Sequence, residues 1–262
     1  MLGFSTYNYE HFSREMMQEL ARAPFSGPEP GERAPDFKGT TLEGETLHLS
    51  DYQGKKNVLL VFGSATCPMT AGSIKGINEL YDQFRGDDIE FLFVYVRESH
   101  PGERIPAHRS NAEKEEAARL LRDEEGLEMP VLVDDVRGTI HRKYSKMPNP
   151  AFLIDKSGRV AFRTMWARPD ELESAMEELL ELQKERGVDH VVVNGGQDLT
   201  MPLSYSILYS YRALERGGED SVEDFRQALG LPGRMGLAAS QAAGSLMKNP
   251  GRLLAFTALT AA

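Results

Sequence analysis

The stretch "VFGSATCPMT", Val61–Thr70, holds the only cysteine of a 262-residue chain, at the point where an apolar run gives way to a helix start. Upstream, "NVLLVFG" (57–63) is apolar without alternation, the pattern of a strand buried on both faces of a sheet. Downstream, the residues from Met69 to Phe84 read as a helix. Cys67 therefore falls where orphan backbone amides and the positive end of a helix dipole converge, which predicts a thiol that ionises more readily than usual. Because thiolate is the nucleophile, this placement points to chemistry. The competing reading is a small buried hydrophobe, the commonest role of a free cysteine.

Working outward, the elements alternate. "IEFLFVYV" (89–96) and "PVLVD" (130–134) read as strands, with helices over Ala112–Glu125 and Arg137–Tyr144. "AFLID" (151–155) and "RVAFRT" (159–164) are strands joined by the tight turn Lys156-Ser157-Gly158, and Pro169 opens a further helix with Asp170 and Glu171 in its first turn. Strand, helix, strand units make parallel pairs and the tight turn makes an antiparallel one, so the expected fold class is α/β with a central mixed sheet flanked by helices.

Ahead of this core, Phe12, Met16 and Leu20 recur at a spacing of four, predicting a helix over Tyr9–Ala23, and "PFSGPEPGERAP" breaks it as a linker. "TLEGETLHLS" reads as a hairpin around Gly44. Beyond Gly187 come one short strand candidate in "VDHVVVNGGQDLT" and helices over Ser204–Arg216 and Ser221–Leu229, with Ser221 and Asp224 as a weak capping box. The glycine pair of "VNGGQDLT" lacks the spacing and following helix of a phosphate loop. From Leu231 the tail carries Arg234, Lys248 and Arg252 without an acid, which makes it a candidate docking segment for a partner, a membrane surface or a second copy in a homodimer; packing on the parent domain is the simpler expectation. The expected organisation is an N-terminal helical arm (1–30), a central domain (31–186) and a C-terminal helical extension (187–262).

Acids outnumber bases 40 to 30 for a net charge of -10, which argues against nucleic acid as a partner because phosphate contacts need clustered Lys and Arg. One cysteine forms no internal disulfide and no cysteine-rich metal site, so the expectation is no bound metal and a reducing, cytoplasmic compartment. The opening residues show neither a basic start nor a continuous apolar run, and no segment approaches the roughly 18 apolar residues of a spanning helix.

The segment "GERAPDFKGTTLEGETLHLSDYQGKKNVLLVFGSATCP" resembles the opening of the thioredoxin-like redoxins. Taken with "FLFVYVRESHPGERIPAHRS" and "EEAARLL", "VFGSATCPMT" is similar to the iodothyronine deiodinases, whose pattern is a strand ending in Phe-Gly-Ser, a selenocysteine, a second strand ending in Tyr, a Glu-x-His-Pro motif and a further histidine. The resemblance covers about Gly31 to Leu180. It implies a thioredoxin-like fold and a thiol-dependent oxidoreductase acting on a small molecule. Its redox centre falls on Cys67, its motif acid on Glu98, and its acid or proton-relay histidines on His100 and His108. Ser64, Thr66, Thr70, Arg104 and Pro148 are the expected substrate contacts. Pro148 is favoured over Pro150 for the cis proline that approaches the active sulfur in such folds.

Physical chemistry supports a joint site. Glu98 and His100 are two residues apart, so in extended chain they share a face, and the carboxylate is expected to orient the imidazole or raise its pKa. Both lie beyond the carboxyl end of a strand, as Cys67 does, which is where ligands collect in sheets of this kind. Arg97, Arg104 and Arg109 offer a positive field to an anionic substrate, or serve as a surface ion-pair patch. The departures from the pattern are specific. Sulfur replaces selenium, Ala65 stands where the deiodinases commonly carry a second cysteine, and Asn149 stands where they carry an acid after the proline. An external thiol, glutathione or a thioredoxin, is therefore the expected reductant, with no bound cofactor. Thr70 at the second position of a Cys-x-x-Cys pair excludes dithiol exchange, while Leu60 and Ser64 replace the proline and threonine of the peroxiredoxins. A single-cysteine peroxidase and a non-catalytic scaffold that binds a partner both remain open. Trp166 and the methionines of the first helix read as core or docking residues.

Overall fold

The computed structural model describes residues 7–23, 25–86, 88–193 and 203–247. Its centre is a sheet of five strands in the order β5-β4-β3-β6-β7. These are β3 (Asn57–Gly63), β4 (Ile89–Tyr95), β5 (Val131–Val133), β6 (Ala151–Ile154) and β7 (Val160–Thr164). β3 runs parallel to β4, and β4 to β5, whereas β6 is antiparallel to both β3 and β7. The expected mixed sheet is present, and a separate hairpin of β1 (Lys38–Thr40) and β2 (Thr46–His48) closes around Gly44.

Alternation along β3 sorts its side chains onto two faces. Leu59 and Val61 pack with α2 (Pro68–Phe84), α3 (Asn111–Glu125) and α5 (Pro169–Arg186) through Ile74, Ile77, Ala118, Leu121, Leu172 and Leu179. Val58, Leu60 and Phe62 face Ile140 and Tyr144 of the short α4 (His141–Tyr144) region, with Phe37 and Leu49 of the hairpin layer. Each such fully buried aliphatic or aromatic side chain contributes about 1.5–3 kcal/mol, and their continuity on both faces is why the run in "NVLLVFG" does not alternate.

The flanking segments are built into this core. α1 (Arg14–Arg22) starts later than the spacing predicts, because Ser13 caps it by accepting from the Met16 amide at 3.3 Å. Tyr7–Phe12 instead runs non-helically across the domain, where Tyr9 donates to the Ser99 carbonyl at 2.7 Å. α6 (Leu203–Gly217) lies along α2, and the two approach closely at Gly72, where a Cβ would stand 2.5 Å from the Tyr205 ring.

α7 (Glu219–Met247) runs past the expected end at Leu229, with a break at Gly230 (φ 61°, ψ -136°) ahead of Pro232. Such a φ suits glycine, and the break lets the second half turn back along α6. The expected Ser221/Asp224 capping box does not form. Glu103 caps α7 instead, accepting from the amides of Glu219 (2.7 Å) and Asp220 (2.9 Å), while Asp224 accepts from the Phe12 amide at 3.2 Å. The strand candidate after Gly187 contributes only irregular chain through Val193, whose amide donates to Ala161 at 3.0 Å; "NGGQDLT" lies outside the described residues. The tail from Leu231 to Met247 forms the second half of α7 and packs on α6, with Leu237 against Leu214 and Tyr211 and the Ser240 hydroxyl accepting from the Tyr211 amide at 2.9 Å; Lys248 and Arg252 lie outside the described residues. Among the described residues no helix is long and apolar enough to cross a membrane.

Candidate active site

Cys67 is the N-cap of α2, reached from the end of β3 through the turn Ser64-Ala65-Thr66. The Thr70 hydroxyl and amide, the Ser99 hydroxyl and the Met69 amide favour the anion of its sulfur, although the side chain caps no amide of the helix. Cys67 does sit at the start of the helix, as the sequence suggests, yet the residue is only 2% exposed and packs against Met69, Met147, Met165 and Trp166. Burial outweighs those donors and pushes the thiol above its ordinary value. The expectation of a readily ionised resting thiol is thus corrected: dipole and amides are present, and desolvation is larger.

The burial has a specific source. Cys67 lies on the wall of a mostly apolar cavity of about 350 Å³. One side comes from the N-terminal arm, through Tyr9, Phe12, Met16 and Leu20; another comes from α7, through Phe225, Leu229 and Pro232. Met69, Trp166 and Pro148 complete the apolar lining, with Arg97, Ser99 and His100 as polar members. Pro148 is thus at the site as expected, but among the described residues every peptide bond is trans, so the cis proline is not found. Arg97 is buried under the rings of Tyr7 and Tyr9 and donates to the Tyr7 and Lys146 carbonyls at 2.7 and 3.2 Å. Burial also raises the Tyr9 phenol to about 12, so it stays protonated.

His100 faces this cavity between two aromatic rings, Phe12 at 4.3 Å and Phe225 at 5.4 Å between centroids, both edge-on. Its Nδ1 is buried without a hydrogen-bond partner. Desolvation drives the imidazole down to about 3, against a smaller upward pull from the Glu98 charge, so the ring is neutral at any ordinary pH. The resting pair is therefore a protonated thiol and a neutral imidazole on one apolar cavity.

Glu98 does not orient His100. Its Oε2 accepts from the Thr66 amide (2.9 Å) and hydroxyl (2.7 Å), and its Oε1 accepts from the Tyr95 hydroxyl and from His108 Nε2 at 3.0 Å. Burial raises the carboxyl, but His108, Tyr95 and Thr66 together overcome it and hold it below its usual value. Glu98 is thus the hub of a buried network behind the cysteine turn. His108, with a side chain 2% exposed, belongs to that network and not to the cavity lining. Thr66 is likewise a positioning group, whose hydroxyl also accepts from the His100 amide at 3.0 Å. Ser64 is fully buried, its hydroxyl 3.4 Å from the Ser99 hydroxyl. Arg104 is exposed and donates to the Glu215 carbonyl at 3.3 Å, away from the cavity, and Arg109 is a surface partner of Glu10. Asn149 fastens strand ends, donating to the Phe62 carbonyl at 2.8 Å.

The groups that sequence reasoning missed are Ser99, Tyr9, Phe12 and Phe225. The Phe12-Met16-Leu20 stripe signalled an apolar face without saying what it covers, and nothing near Phe225 marked it. Among the described residues no group of three His, Cys, Asp or Glu side chains is placed to hold a metal ion.

Similarity to known proteins is concentrated in this part of the chain. A type I iodothyronine deiodinase of Xenopus laevis is 29% identical over 160 residues, covering 56% of this chain and 62% of the deiodinase. The chain thus spans less than two thirds of that relative's length. A thiol-disulfide oxidoreductase ResA of Bacillus cereus is 30% identical over 161 residues, covering 61% of this chain and 76% of the relative. The crystal structure of a hypothetical protein of Sinorhizobium meliloti 1021 superimposes with a TM-score of 0.52 at 16% identity, over 66% of this chain and 91% of that one, a likeness of fold alone. The profile of the AhpC/TSA family matches residues 30–163, from the linker to the last strand of the sheet. Half of the chain, including the strand, turn and helix that carry Cys67, is covered by that match, and the chain belongs to the AhpC/TSA family of thioredoxin-like redoxins.

Proposed function

We propose that this redoxin is a thiol-dependent oxidoreductase that reductively dehalogenates an aromatic substrate, with Cys67 as the redox group and His100 as the proton carrier. The observation that carries the reading is the pairing of a thiol and a neutral imidazole, its Nδ1 unpartnered, on one apolar cavity of about 350 Å³. A cavity of that size and lining suits a hydrophobic ring; hydrogen peroxide needs neither.

The step balances within the site. As the Cys67 sulfur attacks the halogen, its proton passes by way of the His100 imidazole to the ring carbon, and the carbon–halogen bond breaks with its electron pair left on that carbon, all in one step that needs no standing thiolate–imidazolium pair. The substrate is reduced by two electrons and the sulfur is oxidised to a sulfenyl halide. An external thiol, glutathione or a thioredoxin, then displaces halide to give a mixed disulfide, and a second thiol releases Cys67. Both resting partners are neutral, so the thiol and the imidazole form no ion pair in the apolar cavity before substrate fills it.

A single-cysteine peroxidase is the second reading, favoured by the Thr70 and Ser99 hydroxyls at the sulfur, which could donate to a peroxide oxygen. The test compares halide release from an iodinated phenol with peroxide consumption, both with excess thiol. Dehalogenation predicts iodide release that vanishes in Cys67→Ser and falls in His100→Gln. Rapid peroxide turnover with no iodide would replace the first reading by the second.

A further inference from the structure

The peptide unit joining Ala65 to Thr66, two residues before the sulfur, is gripped at both ends by buried charged side chains. Its N–H, on Thr66, donates to Glu98 Oε2 at 2.9 Å. Its C=O, on Ala65, accepts from Arg216 Nη1 at 2.5 Å. Arg216 comes from the last turn of α6, well outside the family's matched segment, and its side chain is only 3% exposed.

The reason for a buried arginine here lies in α3. That helix ends on Glu124 and Glu125, two carboxylates at the negative end of its dipole, an unfavourable arrangement without a cation beside it. Arg216 supplies one, through Nε to Glu124 at 2.7 Å and Nη2 to Glu125, with Arg212 adding a second contact to Glu125 at 3.0 Å. The fork of a guanidinium satisfies both carboxylates and still has an Nη1–H to spend on a third acceptor. That acceptor is a carbonyl of the nucleophile turn and not another acid, so the link does more than attach the extension to the domain. The same extension holds the other half of the site: Ser221 donates to the His100 carbonyl at 2.8 Å, and the Arg104 amide donates to the Gly217 carbonyl at 2.9 Å.

We infer that Arg216 is a positioning residue for Cys67: braced by Glu124 and Glu125, it fixes the plane of the Ala65–Thr66 peptide and so the aim of the turn that presents the sulfur. A planar amide held at one end only can rotate about its flanking bonds, whereas one held at both ends cannot. The inference depends on Cys67 being the reactive group and not on the identity of the substrate.

The test is the titration of Cys67 followed by ultraviolet thiolate absorbance, which needs no substrate and reports the lone thiol. Arg216→Met removes the brace and its charge and leaves the two carboxylates, so the thiol should titrate about one unit higher, a tenfold loss of thiolate at a given pH. Arg216→Lys, which keeps the charge without the fork, should fall between the two. Arg163→Met is the control, since it removes another buried arginine, one paired with the exposed Glu29, on residues outside the cavity lining. It should lower stability and leave the thiol titration unchanged. If Arg216→Met matches wild type in the titration while losing stability as the control does, Arg216 only docks the extension and the inference is overturned. Should Arg216→Met fail to fold, Arg216→Lys and Glu125→Gln decide in its place: a moved titration in either supports the inference, and no movement in both overturns it. Absence of iodide release would refute dehalogenation and leave this titration as readable as before.

Discussion

Acidifying the protein from about pH 8 to about pH 5 should destabilise it by about 2 kcal/mol through His100 alone. Burial between Phe12 and Phe225 lowers the imidazole from 6.5 to about 3. Below 6.5 the unfolded chain therefore takes up a proton that the folded chain refuses, and stability falls with pH until the folded ring itself titrates near 3. At about 1.5 pH units under the free value, and about 1.4 kcal/mol for each, the loss reaches about 2 kcal/mol. Urea unfolding of wild type and His100→Gln at both pH values isolates the contribution, because every other titrating group is common to the two proteins. The stability of wild type relative to the variant should drop by that amount on acidification. A difference that stays constant, or a His100 ring that titrates near 6.5 in folded protein by nuclear magnetic resonance, would refute the argument that the apolar rings keep it neutral.

Glu98→Gln breaks a buried pair with His108 and should cost about 3–5 kcal/mol near neutral pH. Because the Glu98 carboxyl is held below its usual value, the deficit should be full above the ordinary carboxylate range and shrink as the pH falls through it, measured by urea unfolding against pH. Asn149→Ala removes the bonds to the Phe62 carbonyl and from the Ala167 amide, for a loss of about 1–3 kcal/mol with the thiol titration unmoved. Gly63→Ala would place a Cβ 2.6 Å from both the Thr70 hydroxyl oxygen and the Phe93 ring. It should cost about 1–3 kcal/mol and displace Thr70 from the sulfur, moving the Cys67 titration upward in thiolate absorbance.

What could be read in the sequence was whatever local pattern decides. The unbroken apolar runs of β3 and β4 announced a sheet covered on both faces, and Gly44 and Gly158 marked the two tight turns. Cys67 at a strand-to-helix junction was equally plain. What could not be read depends on residues far apart in the chain. Glu98 was expected to face His100 on a two-residue repeat, but the strand ends at Tyr95 and the chain beyond it bends, so the carboxylate meets His108 and Thr66 instead. The thiol was expected to ionise easily because its own helix favours the anion. The opposing effect, burial, is imposed by Met147, Met165 and Trp166, with an arm and an extension around the cavity, all of them outside any local window. The caps of α7 show the same thing, since Glu103 displaced a sequence-adjacent capping box from the other side of the domain.

The cavity draws its walls from residues 9–20 at one side and 210–236 at the other, while the sheet beneath it is complete by residue 164. A chain cut after Arg186 would thus keep the sheet and the arm and lose the wall made by Phe225, Leu229 and Pro232, leaving the thiol open on one side. The last helices act as a shutter for a sulfur that the rest of the chain already holds in place. Brief alkylation should label Cys67 of the shortened chain more readily than that of the full chain.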